Sequence, residues 1–140
     1  MFDNTPVIPT VNLAFHKGMT NATINPNDTL WNPWSDQWHL DANGEITFPQ
    51  PILSDIEFDN DGSMILGFMD RTGHQLGYGQ YGLNSNDITN IYSGFGGGDV
   101  IRVFNNACTY EVESNGVAGP ITTSGNQNYQ GLGGGEFYWE

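Results

Sequence analysis

Basic residues are almost missing from this chain. Lys17, Arg71 and Arg102 stand against sixteen acidic residues in 140, a net charge of −13. That balance excludes a phosphate-tracking surface, because nucleic acid and anionic membrane would both repel it. Cysteine is represented by Cys108 alone, so no disulfide can form within the chain. No run approaches the roughly 20 apolar residues of a membrane-spanning helix. Helix formers are scarce too: there are five alanines and one lysine. No window carries apolar residues at helical spacing without also containing Gly or Pro. The opening Met1-Phe2-Asp3-Asn4-Thr5-Pro6 has neither a basic region nor an apolar run, and does not read as a secretory leader.

What fills the gap is uncharged polarity. Asn, Gln, Ser and Thr together make 40 residues, beside 19 glycines. Such a composition makes turns and strands, and it points to an extracellular or cell-surface setting. The clearest strand pair is 52–70. Ile56 and Phe58 alternate with Asp55, Glu57 and Asp59, which predicts one apolar and one acidic face. Asp59-Asn60-Asp61-Gly62 supplies turn chemistry, and the return run Ser63–Met69 is apolar on both faces, as for a strand covered on both sides. A second hairpin is predicted from Val100 to Glu113, turning at Asn105-Asn106-Ala107. Tyr110 and Val112 should face one way, and Thr109, Glu111 and Glu113 the other. Asn115-Gly116 is a further turn pair.

Gly94-Phe95-Gly96-Gly97-Gly98-Asp99-Val100 recurs 37 residues later as Gly131-Leu132-Gly133-Gly134-Gly135-Glu136-Phe137. That offset is close to one propeller blade, each copy delivering an acid at the start of a strand. The expected fold is all-β, with little or no helix, in antiparallel sheets resembling propeller blades; a β-sandwich is the alternative. Residues 1–30 read as an extended N-terminal segment able to donate a strand, and 31–140 as a single all-β domain of blade-like hairpins.

Three constellations carry chemistry. Asp55, Glu57, Asp59 and Asp61 place carboxylates at every second position, and a hard cation would relieve their repulsion. An EF-hand is excluded, because a loop starting at Glu57 puts Phe68 where a bidentate Glu is required. A looser calcium site at Asp59 and Asp61 is the metal candidate, against the plainer reading of a solvated acidic strand. Trp31, Trp34 and Trp38 fall within eight residues; exposed, they would form a stacking platform for a glycan, and buried, they would close the core. Asn32-Pro33 could open one helical turn that sets Trp34 and Trp38 on one side. Asp70-Arg71-Thr72-Gly73-His74 reads as an ion pair, Asp70 with Arg71, beside a hairpin end. Among His16, His39 and His74 none has a partner at zinc-ligand spacing, and neither glycine run completes a phosphate-binding fingerprint. Catalysis is not expected.

The stretch Phe48-Pro49-Gln50-Pro51-Ile52-Leu53-Ser54-Asp55-Ile56-Glu57-Phe58-Asp59, continuing through Asp61-Gly62-Ser63-Met64-Ile65-Leu66-Gly67-Phe68-Met69-Asp70-Arg71, resembles a propeller-like region of very large bacterial cell-surface proteins that also carry SdrD-type B repeats. Trp31-Asn32-Pro33-Trp34, Gly98-Asp99-Val100-Ile101-Arg102 and Gly133-Gly134-Gly135-Glu136-Phe137-Tyr138 resemble other motifs of that region. The resemblance covers about residues 30–140. It implies export, β architecture and a role in surface structure or adhesion, and it carries no catalytic residues. About three blades' worth of chain is too little for a propeller of four to eight blades. The expectation is therefore a non-catalytic extracellular structural or adhesive module. Its open edges would be completed by other copies, in a fibre or surface layer, or by neighbouring domains of a larger chain. The alternatives are a carbohydrate-binding module on the tryptophans, and a metal-dependent hydrolase built on Asp55, Asp59 or Asp99.

Overall fold

The computed structural model describes residues 11–15, 17, 30–40, 44–83, 86–107, 109–125 and 129–138. The expected N-terminal strand donor at 1–30 lies almost wholly outside these residues, as does Cys108. The fold is all-β in antiparallel sheets. Its elements are β1 (Pro51–Phe58), β2 (Met64–Asp70), α1 (Arg71–Gln75), β3 (Gln80–Tyr81), β4 (Ile91–Tyr92), β5 (Asp99–Asn106), β6 (Thr109–Val112), β7 (Val117–Ala118) and β8 (Ile121–Thr122). A short 3-10 turn follows at Leu132–Gly134. One sheet has the order β1-β2-β5-β6; β3 pairs with β4 and β7 with β8. No sheet closes on itself among the described residues.

The turns follow local chemistry. Between β1 and β2, Gly62 N donates to Asp59 O at 2.9 Å and Asp59 N to Ser63 O at 2.8 Å. Gly62 takes φ +79°, which an L side chain rarely adopts. Asp61 locks the same turn by accepting from Ser63 N at 2.8 Å. Asn115 and Gly116 both take positive φ, 53° and 69°, and Ser114 and Val117 exchange two backbone bonds across them. That is a two-residue hairpin turn of the kind whose twist matches its strands.

The chain divides into two compact units. One comprises Met1–His16, Ser54–Gly67 and Val100–Glu140; the other comprises Lys17–Leu53 and Phe68–Asp99. In the first, Met64, Leu66, Ile101, Val103, Ala118 and Phe137 are buried. Strand β5 is buried on both faces: Ile101 and Val103 lie to one side and Arg102 to the other. In the second unit Trp31, Ile46 and Leu76 form the apolar centre, with Thr47, Gln50, Asp70 and Thr72 buried beside them.

Four expectations are corrected here. The β1 alternation does not sort burial, since Ser54 to Phe58 are all exposed and Phe58 keeps 65% of its surface. Glu113, expected outward, is buried: its N–H donates to Arg102 O at 3.0 Å and its carboxylate accepts from Arg102 N at 3.2 Å. Asp70 does not pair with Arg71 but caps the one-turn helix α1, accepting from Thr72 N and Gln50 N at 2.9 Å each. The glycine echo is not one structural unit repeated. Gly131, Gly133 and Gly134 take left-handed φ, whereas no glycine of 94–98 does. Asp99 opens β5 while Glu136 lies outside any strand, although both acids are buried.

Candidate functional site

Asp59 and Asp61, the expected metal ligands, flank the β1–β2 turn in the first unit, and a protein cation faces them. Arg102 on β5 places Nη1 2.9 Å from Asp59 Oδ2 and Nη2 3.1 Å from Asp61 Oδ2. Its Nη1 also donates to Tyr138 Oη at 3.3 Å, and the guanidinium lies 5.6 Å from the Phe137 ring centre. No group of three or more His, Cys, Asp or Glu side chains is placed to hold a metal among the described residues. A calcium ion at Asp59 and Asp61 would therefore compete with Arg102. Of the other acids named for hydrolysis, Asp55 is exposed on β1 and Asp99 is buried at the start of β5.

The carboxyl of Asp61 is held below its ordinary value of 3.8. The backbone hydrogen bond from Ser63 is the largest cause, with the Ser63 side chain and the nearby Arg102 adding to it. A depressed folded-state value means that ionised Asp61 stabilises the fold above its unfolded value. That contribution fades as pH falls below 3.8 and is gone once pH has passed the lowered folded value. Asp61→Asn is accordingly expected to flatten the loss of melting temperature in this acid range, leaving neutral-to-acid slopes elsewhere unchanged. Acid titration of both proteins by circular dichroism checks this.

The tryptophans lie in the second unit and do not share one face. Trp31 is buried, with Lys17 Nζ 5.3 Å from its ring centre and Phe68 tilted against it at 6.3 Å. Trp38 is half-buried, edge-on to Tyr92 at 5.4 Å. Trp34 is exposed, donates from Nε1 to Pro51 O at 2.9 Å, and has the Arg71 guanidinium 5.2 Å from its ring centre. Residues 31–38 form no helical turn. The three side chains are separate anchors of one loop rather than a flat platform.

What that loop does form is a cleft of about 240 Å³. Its apolar walls are Ile46, Phe48 and Trp38, with His39 stacked on Phe48 at 3.8 Å between ring centres and 20° between planes. Its polar wall is built by α1. Arg71 Nη1 spends its two hydrogens on Ser35 O at 3.0 Å and Gln50 Oε1 at 2.9 Å. Gln50, only 3% exposed, also accepts from Ser35 N at 2.7 Å and donates to Thr72 Oγ1 at 2.8 Å. Thr72 in turn donates to Phe48 O at 2.6 Å. Arg71 is thus fixed by a buried relay, while its Nη2 stands 3.8 Å from the exposed Asp36 carboxylate. That distance is an ion pair without a hydrogen bond.

Arg71, Gln50, Thr72 and Phe48 were not legible as a site. Arg71 had an acid beside it in sequence, and the simpler pairing masked its long-range partners. The available signal was rarity: an arginine that is one of only three basic side chains sits where the fold needs a cation or a fixed donor. Comparison with protein-family models, with curated proteins and with solved structures found no match.

Proposed function

We propose that this chain is a non-catalytic structural or adhesive module of a cell surface, assembling with further copies or with neighbouring domains of a longer chain. The observation that carries this reading is β1. It is the outer strand of its sheet, eight residues long, and residues 54–58 are exposed throughout. Ile56 and Phe58 stand on one face of it unburied, and as an outer strand β1 offers its backbone edge for strand addition. Blade-like sheets completed by a neighbour fit an architecture that no described sheet closes by itself.

Asp55 and Glu57 on the other face of β1 oppose their own copies, so association depends on screening. At a protein concentration of about 100 μM, sedimentation is expected to show larger species in roughly 0.5 M salt than in 0.05 M, and Phe58→Lys is expected to abolish them. A monomer at both salt concentrations would sink this reading.

A second reading, carbohydrate binding, is favoured by the cleft of the second unit, where aromatic walls adjoin a fixed amide and guanidinium and the exposed Asp36 carboxylate. Sugars ask for that combination, because they present an apolar face edged by hydroxyl groups. An adhesive module has use for both properties.

A further inference from the structure

Resting on the carbohydrate reading, we infer that the cleft between Trp38, Phe48 and Arg71 binds a single neutral sugar ring, with Arg71 and Asp36 holding a pair of neighbouring hydroxyls. Size comes first. A volume of about 240 Å³ is below the roughly 300–1,000 Å³ of pockets for drug-sized ligands, and suits one ring rather than a chain of them.

The donor set decides the chemistry. Both hydrogens of Arg71 Nη1 are committed to Ser35 O and Gln50 Oε1, which fixes the guanidinium plane before any ligand arrives. Nη2 and Nε make no hydrogen bond among the described residues and remain as donors at fixed positions. Gln50 is the positioning residue, since its buried amide ties Arg71 to Ser35 and Thr72. Asp36 is almost fully exposed and 3.8 Å from Nη2, near enough for one hydroxyl to accept from Arg71 while donating to Asp36. A fixed donor beside a carboxylate acceptor matches a diol, each of whose hydroxyls does both. Gln37 and Gln75 border the same cleft with amides that also do both.

Charge then selects against acidic sugars. A uronic or sialic carboxylate reaching Arg71 would lie against Asp36 and would approach a protein carrying −13 charges. A neutral ring meets neither cost. The apolar walls supply the stacking face, through Trp38 and the Phe48–His39 pair.

The test is titration of the full chain with methyl glycosides of glucose, galactose, mannose and N-acetylglucosamine, and with glucuronic acid as the anionic arm, followed by calorimetry and tryptophan fluorescence. The expected result is binding of at least one neutral glycoside, weakened tenfold or more by Asp36→Ala and by Arg71→Lys. Asp36 is a surface side chain whose loss leaves the fold intact, so the Asp36 variant keeps the test valid if the Arg71 variant fails to fold. Binding that survives Asp36→Ala together with Gln75→Ala would place the sugar elsewhere and overturn this inference while leaving the carbohydrate reading standing. Binding of glucuronic acid more tightly than every neutral glycoside would overturn the neutral assignment. No binding of any of them at 100-fold excess over protein would overturn both.

Discussion

Replacing Arg102 by methionine is expected to lower stability by about 2–3 kcal/mol, a fall in melting temperature of roughly 6–12 °C for a chain of this size. Arg102 is 5% exposed on the second face of β5, and four groups depend on it: Asp59, Asp61, Tyr138 and the Phe137 ring. Methionine keeps much of the packed volume but leaves two carboxylates facing each other without a cation. Removing one partner of a fully buried pair costs about 3–5 kcal/mol. The carboxylates here are 40% and 45% exposed, so water screens them and the cost falls to the bottom of that range or below it. Arg102→Lys is expected to lose less, since it keeps the charge but cannot bridge both carboxylates with one planar fork. Urea denaturation checks the ranking, and an unchanged midpoint for the methionine variant would refute it. Calcium at millimolar concentration is expected to raise the melting temperature of the Arg102→Met protein more than that of the native one. Asp59 and Asp61 are then free to take the metal in place of the guanidinium.

The second large effect lies where two glycines touch. A Cβ on Gly73 in α1 would collide with Gly96 Cα, and one on Gly96 would come within 2.8 Å of Gly73 Cα. Neither glycine takes a left-handed φ, so the requirement is space and not backbone conformation. Alanine at Gly73 would gain up to about 1 kcal/mol from helix propensity. Against it stands an overlap with backbone, which cannot rotate away and costs about 1–3 kcal/mol or more. Overlap wins, and Gly73→Ala is expected to destabilise by about 1–2 kcal/mol. Gly96→Ala has no helix gain to offset it and should lose more. The double variant is expected to lose less than the sum, because the first methyl already forces the segments apart. Denaturant midpoints of the three proteins form the cycle; strict additivity would refute the shared contact. Since α1 carries Arg71 and Thr72, each variant should also weaken whatever the cleft binds.

Local chemistry was legible wherever a few neighbouring residues decide the outcome. The turns at Asp59–Gly62 and Asn115-Gly116 form because Gly62, Asn115 and Gly116 adopt φ > 0 at little cost, whatever surrounds them. The runs 51–58, 64–70 and 99–106 form strands because their β-branched and aromatic residues alternate or fill both faces. Alternation did not tell which face is covered. Ile56 and Phe58 have the pattern of a core-facing strand and are exposed, because coverage depends on what packs against β1 rather than on β1 itself. The two glycine-rich segments share a pattern and differ in backbone, because glycine admits both hands of φ and its neighbours choose.

The scarcity of positive charge, with which the sequence begins to be informative, divides in the same way. By itself the sequence determined that this is a strand-and-turn protein with a large excess of acidic over basic residues. Both conclusions are sums over residues, insensitive to where each one lies. Only the tertiary structure decided what its few cations do: Arg102 closes the acidic turn at Asp59 and Asp61, and Arg71 is aimed by Gln50 into a cleft. An arginine reaches any acceptor the fold brings within hydrogen-bonding distance, 21 residues away for the amide oxygen of Gln50 and 41 for the carboxylate of Asp61, and adjacency in sequence carries no weight against that reach.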